Sequence, residues 1–184
     1  GLKTHAKMLL ITRREGRGLR RYGHLSTGNY NPKTARLYTD LSYLTCNEVL
    51  TADMDAVFRH LASPNVKPRL EKLVMAPFAL QSTMLAHLRS CAQAARRGEY
   101  ARVVIKSNAM TDEVLMQALA EAGQAGVQID LIVRGACMLP PQLPGVSDNI
   151  RVRSIIGRFL EHSRVFYFAW GDAQEHVYLS SADW

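Results

Sequence analysis

Cysteine is scarce and scattered. Cys46, Cys91 and Cys137 stand far apart, without the close pairs that a disulfide framework or a thiolate metal site needs, which fits a reducing compartment. Apolar runs of membrane-spanning length are missing, and so is a signal-peptide pattern. Acid is nearly absent from the first 31 residues, where seven Lys or Arg stand against a single Glu. Most of the net charge of +7 therefore comes from that stretch, as a polyanion site beside it would need. Aromatics make up 8% of the chain and few of them interleave with these cations, which argues against a base-stacking nucleic-acid surface. No carboxylate cluster is spaced to hold a divalent cation, so no residue is assigned to a metal. An initiator Met is lacking too, and with the first candidate functional histidine already at position 5 the chain reads as a piece of a longer protein.

What is present is a chain of 184 residues, 47% hydrophobic, enough for one large or two small domains with a sizeable core. At its start His5-Ala-Lys7 precedes the apolar run Met8-Leu9-Leu10-Ile11. In an extended segment residues two apart leave the same face, so this spacing pairs an imidazole with an ammonium. An imidazole can accept a phosphoryl group, and an ammonium beside it can hold phosphate oxygens. A lone His-x-Lys is more often a packed or surface histidine than a site.

A second copy changes that balance. Near the end of the chain His162-Ser-Arg164 again precedes an apolar run, Val165-Phe166-Tyr167-Phe168. In the first copy a polar loop leads to Ser26-Thr27-Gly28-Asn29, and in the second to Ser180-Ser181-Ala182-Asp183. Two strand-loop-strand units, each opening on His-x-Lys/Arg and closing on small hydroxyl residues, suggest related half-sites facing each other across a pseudo-twofold.

His-x-Lys followed by a Gly/Ser-rich strand end resembles the phospholipase D superfamily, whose two motifs meet around one phosphoryl group. The acid that superfamily carries five residues after the Lys is replaced here by Thr12 and Ala169, which disfavours a phosphodiesterase or nuclease. Within the superfamily, Gly1 to Lys7, Thr27 to Asn31, Thr34 to Asp40, Leu131 to Gly135, Ser147 to Arg151 and Tyr178 to Trp184 closely resemble the catalytic half of polyphosphate kinases. The resemblance spans almost the whole chain. It implies an α/β phospholipase D-like fold of two related subdomains, each with a mixed β-sheet flanked by helices. Residues 1–68 would be part of the first and 69–184 the second, cut at its C-terminus.

It further implies an ATP:polyphosphate phosphotransferase, with His5 as a phosphohistidine and His162 as acid/base or phosphate ligand. Tyr38 would contact the nucleotide base, and Arg134, Lys7, Asn29 and Arg164 would hold phosphate oxygens. His24 would support the site from behind, orienting phosphate or His5. Mg²⁺ is expected with ATP, held by substrate oxygens and residues outside this sequence. ATP or ADP and inorganic polyphosphate are the expected partners, with no nucleic acid. The full-length protein is expected to be a homo-oligomer in a bacterial cytoplasm, with room for peripheral membrane association, and the isolated piece to be inactive. A non-catalytic polyanion-binding domain is the competing reading from a different class.

Between the two motifs, the spacing predicts a helix capped by Thr51 and running to Ala62, with a subdomain boundary at Ser63 to Pro68. Leu73 to Ala76 reads as a short strand stopped at Pro77, and Ala79 to Gly98 as an amphipathic helix with a cationic last turn. Strand Val103 to Ile105, helix Thr111 to Ala125 and strand Val127 to Val133 form a right-handed parallel crossover. Arg134 then falls at a strand's carboxyl end, where ligands of α/β sheets bind. His60, His87 and His176 read as structural.

Overall fold

The computed structural model describes residues 3–65 and 67–184. Gly1, Leu2 and Val66, the last inside the expected boundary, lie outside the described residues.

The first unit begins with an antiparallel hairpin of β1 (Met8–Glu15) and β2 (Gly18–Ser26). The strands meet at a two-residue turn whose first position, Gly16, has φ of +59°, a conformation that suits glycine and matches strand twist. A two-residue strand, β3 (Tyr38–Thr39), follows, and then β4 (Ser42–Thr45), which pairs antiparallel with β2. One face of this sheet is covered by α1 (Glu48–Ala62). Met54 on α1 is fully buried and packs against Gly23, where a Cβ would come within 2.5 Å of its Sδ. The close helix–sheet approach therefore needs a glycine at position 23.

The structure differs from two expectations in this unit. The cap of α1 is Asn47, whose side chain accepts from the Leu50 N–H at 3.0 Å. Thr51 lies inside the helix, its hydroxyl donating back to the Asn47 carbonyl. Leu73 to Ala76 is no strand. Asp53 on α1 accepts the N–H groups of Glu71, Lys72 and Leu73 at 2.6–3.0 Å, so the chain enters this segment bound to a carboxylate and Leu73 has no N–H left for a neighbouring strand.

The second unit is a mixed five-stranded sheet in the order β10-β9-β5-β6-β7. It comprises α2 (Leu80–Arg96), β5 (Ala101–Ser107), α3 (Glu113–Gln124), β6 (Gln128–Val133), β7 (Ile150–Arg153), β8 (Leu160–Glu161), β9 (Arg164–Trp170) and β10 (Gln174–Ser180), of which β8 stands outside the sheet. β5, β6 and β7 run parallel and β9 and β10 antiparallel, so the β5–α3–β6 crossover is as expected. Helices α2 and α3 pack on this sheet over a core that includes Leu88, Val103, Ile105, Leu119, Leu131, Phe166 and Phe168. The α/β class holds, and of the two main sheets only the second is mixed, the first being antiparallel throughout its described strands.

The two units are tied by β3 and β8, which pair in parallel through Tyr38–Leu160 and Thr39–Glu161. This short ladder brings Tyr38 and Asp40 of the first unit against the residues just ahead of β9 in the second.

Candidate active site

Each His-x-Lys/Arg motif lies at the entrance of a hairpin, His5-x-Lys7 ahead of β1 and His162-x-Arg164 running into β9. Each hairpin returns on a serine level with the cation. The Ser26 N–H donates to the Lys7 carbonyl at 2.9 Å, and Ser180 is the cross-strand partner of Arg164. The two copies thus share this register of cation and serine.

Each histidine is oriented by the other unit. His5 Nδ1 lies 2.9 Å from the Ser181 carbonyl oxygen, at the end of β10. A carbonyl only accepts, so Nδ1 carries the proton and Nε2 presents a lone pair. Lys7 Nζ donates to that Nε2 at 2.9 Å. His162 Nδ1 donates at 2.8 Å to Oδ1 of Asp40, which also accepts from the Thr27 hydroxyl at 2.8 Å. His162 Nε2 faces Arg164 Nη1 at 3.4 Å. In both copies Nε2 is the ring nitrogen that faces the motif's own cation. The copies differ at Nδ1, where one ring meets a neutral carbonyl and the other a carboxylate.

The electrostatics join the two halves. Burial, followed by the charges of Lys7, Arg164 and Lys3, pushes the His5 imidazole below its ordinary range against the bond to Ser181. Burial and then Arg164 lower the Lys7 ammonium, which Asp40 and Asp183 partly offset. Arg164 is almost fully buried and is gripped by Asp183 through Nε at 3.0 Å and Nη2 at 2.9 Å. Asp183 also accepts from the Ser107 hydroxyl and the Asn108 N–H. Burial alone would raise its carboxyl, but the bonds from Arg164, Asn108 and Ser107 outweigh that and hold it below the usual carboxylate range.

Tyr38 lies against His162 with ring centroids 5.0 Å apart, and Arg134 donates to the carbonyl of Glu161, the residue before His162. Lys106 pairs with Glu161 at 3.1 Å and donates to the Ser163 carbonyl at 2.9 Å. Asn29 is exposed in the turn after β2. His24, expected behind His5, is turned to Tyr30 instead, with its Nδ1 2.8 Å from the phenol oxygen. A cavity of about 630 Å³ opens beside His5 and Lys7, with Leu25, Val57, Met75 and Leu179 among its walls, while His162, Tyr38 and Arg134 group around Asp40 and Glu161. The excess charge also lies elsewhere than expected, because β1 carries Arg13 and Arg14 away from Lys7 to the far end of the hairpin. Sequence reasoning passed over Asp40 and Asp183 as partners. The repeat held a signal for Asp183, which occupies the place of Asn29 in the other copy.

Two family models account for nearly the whole chain: polyphosphate kinase C-terminal domain 1 over residues 1–67 and polyphosphate kinase C-terminal domain 2 over residues 73–184. The chain belongs to the polyphosphate kinase family. The polyphosphate kinase of Xylella fastidiosa strain Temecula1 is 54% identical over 184 residues, covering 100% of this chain and 26% of its own length. That of Pseudomonas aeruginosa is 53% identical over the same 184 residues, again covering 100% and 26%. The crystal structure of polyphosphate kinase from Porphyromonas gingivalis superposes with a TM-score of 0.90 at 37% identity, covering 100% of this chain and 28% of that one. The chain thus spans about a quarter of the length of these polyphosphate kinases, and the phospholipase D-like α/β class expected from the sequence holds.

Proposed function

We propose that this chain supplies the two-histidine centre of a polyphosphate kinase that reversibly transfers the terminal phosphate of ATP to inorganic polyphosphate through a phosphohistidine on His5. The observation that carries this reading is the unequal treatment of the two rings at Nδ1. His5, bonded to a carbonyl and surrounded by cations, is kept neutral with Nε2 as nucleophile. Lys7, 2.9 Å from that nitrogen, is placed to hold oxygens of the arriving phosphoryl group and to compensate its charge. The carboxylate at His162 fixes the ring and balances charge that arrives on it, which suits proton exchange with the leaving or attacking phosphate oxygen.

In the forward half-reaction His5 Nε2 attacks the γ-phosphorus, the bond to the β,γ-bridging oxygen breaks, and ADP leaves. In the second, a terminal oxygen of polyphosphate attacks the same phosphorus and restores His5. Arg134 and Arg164 contribute fixed positive charge near the transferring group, and Tyr38 offers a ring face to the adenine. Asp40 and Asp183 are occupied by His162, Thr27 and Arg164, and among the described residues no group of three or more His, Cys, Asp or Glu is arranged to hold a metal. Mg²⁺ enters as part of the nucleotide substrate.

Thr12, exposed on β1, and Ala169, buried on β9, offer no acid to a hydrolytic reaction, which supports transfer over phosphodiester cleavage. The full-length protein is taken to act in the bacterial cytoplasm as a homo-oligomer. The reading is tested in that full-length protein by the His5→Ala variant. Synthesis of polyphosphate from ATP is lost while the fold, followed by circular dichroism, is kept; synthesis at the wild-type rate would refute the reading.

A further inference from the structure

The arginines of the β1–β2 hairpin form a second group of cations, well apart from the histidines. At about 3.3 Å per residue, Arg13 lies about 20 Å along β1 from Lys7. Arg13 and Arg20 are direct cross-strand partners, a relation in which like charges repel. Glu15 stands between them, 3.3 Å from Arg13 and 3.6 Å from Arg20, and is further engaged by the Tyr22 hydroxyl at 2.5 Å. Arg21 shares Asp55 with Arg59. Arg14 and Arg17 are exposed, and among the described residues no carboxylate lies within ion-pair distance of either. Six arginines thus face two carboxylates that are already shared.

We propose that this hairpin is a binding site for the polyphosphate chain, separate from the centre where the phosphoryl group is transferred. The inference rests on polyphosphate being the substrate, and adds to it a second point of hold about 20 Å along β1. Guanidinium forks pair with phosphate oxygens, and a two-stranded ribbon that carries Arg13 and Arg20 on one face, Arg14 and Arg21 on the other and Arg17 at its turn offers several contacts to a ligand that repeats the same anionic group along its length. Nothing short satisfies both places. A nucleotide or tripolyphosphate at His5 ends well before Arg13, whereas a long chain reaches both and gains from the second contact as a tethered ligand does. Nucleic acid is the poorer match, because of the two rings on the hairpin Tyr22 has its face covered by Arg20 at 5.4 Å and its hydroxyl held by Glu15, while His24 is packed against Tyr30.

The test uses the full-length protein with Arg14→Gln/Arg17→Gln, which removes only exposed cations without a carboxylate partner, and a second variant that adds Arg20→Gln. Binding of end-labelled long-chain polyphosphate and of tripolyphosphate is measured by anisotropy over a range of salt, beside single-stranded RNA of matched charge. Long-chain binding weakens about tenfold or more, the slope of log Kd against log salt falls by about 1 to 2, and tripolyphosphate binding stays as it was. Unchanged long-chain affinity and slope would overturn the proposal, as would loss of RNA binding with polyphosphate binding intact. If the wild-type protein forms no phosphoenzyme, the reaction assigned to His5 fails, while the comparison of long and short chains still decides this site.

Discussion

His162 Nδ1 and Asp40 Oδ1 are 2.8 Å apart although 122 residues separate them in the chain. The bond crosses from the second unit to the first, and its counterpart from His5 to the Ser181 carbonyl crosses back. Neither histidine is therefore oriented until both units have folded and docked through the β3–β8 ladder. The shared reaction centre proposed above needs that dependence, since each ring is held by the half that carries the other.

Asp40→Asn keeps the shape of the contact and removes its charge. Turnover should fall by up to about 10⁴-fold, the cost of losing the carboxylate that orients and charge-balances a reacting imidazole. Labelling of His5 by ATP should slow as well, because His162 serves the leaving oxygen in the first half-reaction and the attacking oxygen in the second. Rapid-quench measurement of phosphoenzyme formation beside steady-state polyphosphate synthesis checks both, and labelling at the wild-type rate would show that Asp40 does not act in the first half-reaction.

Lys7→Gln removes one of the charges that hold the His5 imidazole below its ordinary range. A lowered imidazole stays neutral, and so nucleophilic, to a more acid pH than an unperturbed one. The acid limb of phosphoenzyme formation should thus lie below pH about 6.5 in the wild type and move upward in the variant. The shift should be partial, since burial is the larger cause and remains. A pH profile of single-turnover labelling checks this, and a limb that stays in place would show that Lys7 does not act on His5.

Asp183→Ala leaves the buried Arg164 guanidinium without its carboxylate, which should destabilise the protein by about 3 kcal/mol in chemical denaturation. The Asp183 carboxyl is depressed in the folded state, so its contribution is full above the unfolded value of about 3.9 and fades as pH falls through the lower folded value. Stability below pH about 4 should accordingly become less pH-dependent in the variant. A variant as stable as the wild type would mean that Arg164 finds another partner.

Much of this arrangement was legible in the residues. The repeat of His-x-cation and hydroxyl-rich strand end foretold two equivalent hairpins, and the β5–α3–β6 crossover followed from apolar spacing and end signals. What escaped was set by contacts between distant residues. Leu73 to Ala76 has a strand's composition, but Asp53, 18 to 20 residues earlier, takes its entering N–H groups. Asp40 and Asp183 look like ordinary surface acids until the ladder brings one to His162 and β10 brings the other to Arg164. The basic loop is close to His5 in sequence and distant in space because an extended strand lies between, a conversion of residue number into length that charge counting ignores.

In the proposed reaction phosphate resides on Nε2 of His5, since Nδ1 is committed to the Ser181 carbonyl and Lys7 points at Nε2. Phosphorus NMR of the full-length phosphoenzyme, combined with peptide mapping of an acid-labile and alkali-stable label, distinguishes the two ring positions and the two histidines. Nε2-phosphohistidine at His5 is the expected result. Phosphate on Nδ1, on His162, or on neither while polyphosphate synthesis proceeds would contradict it.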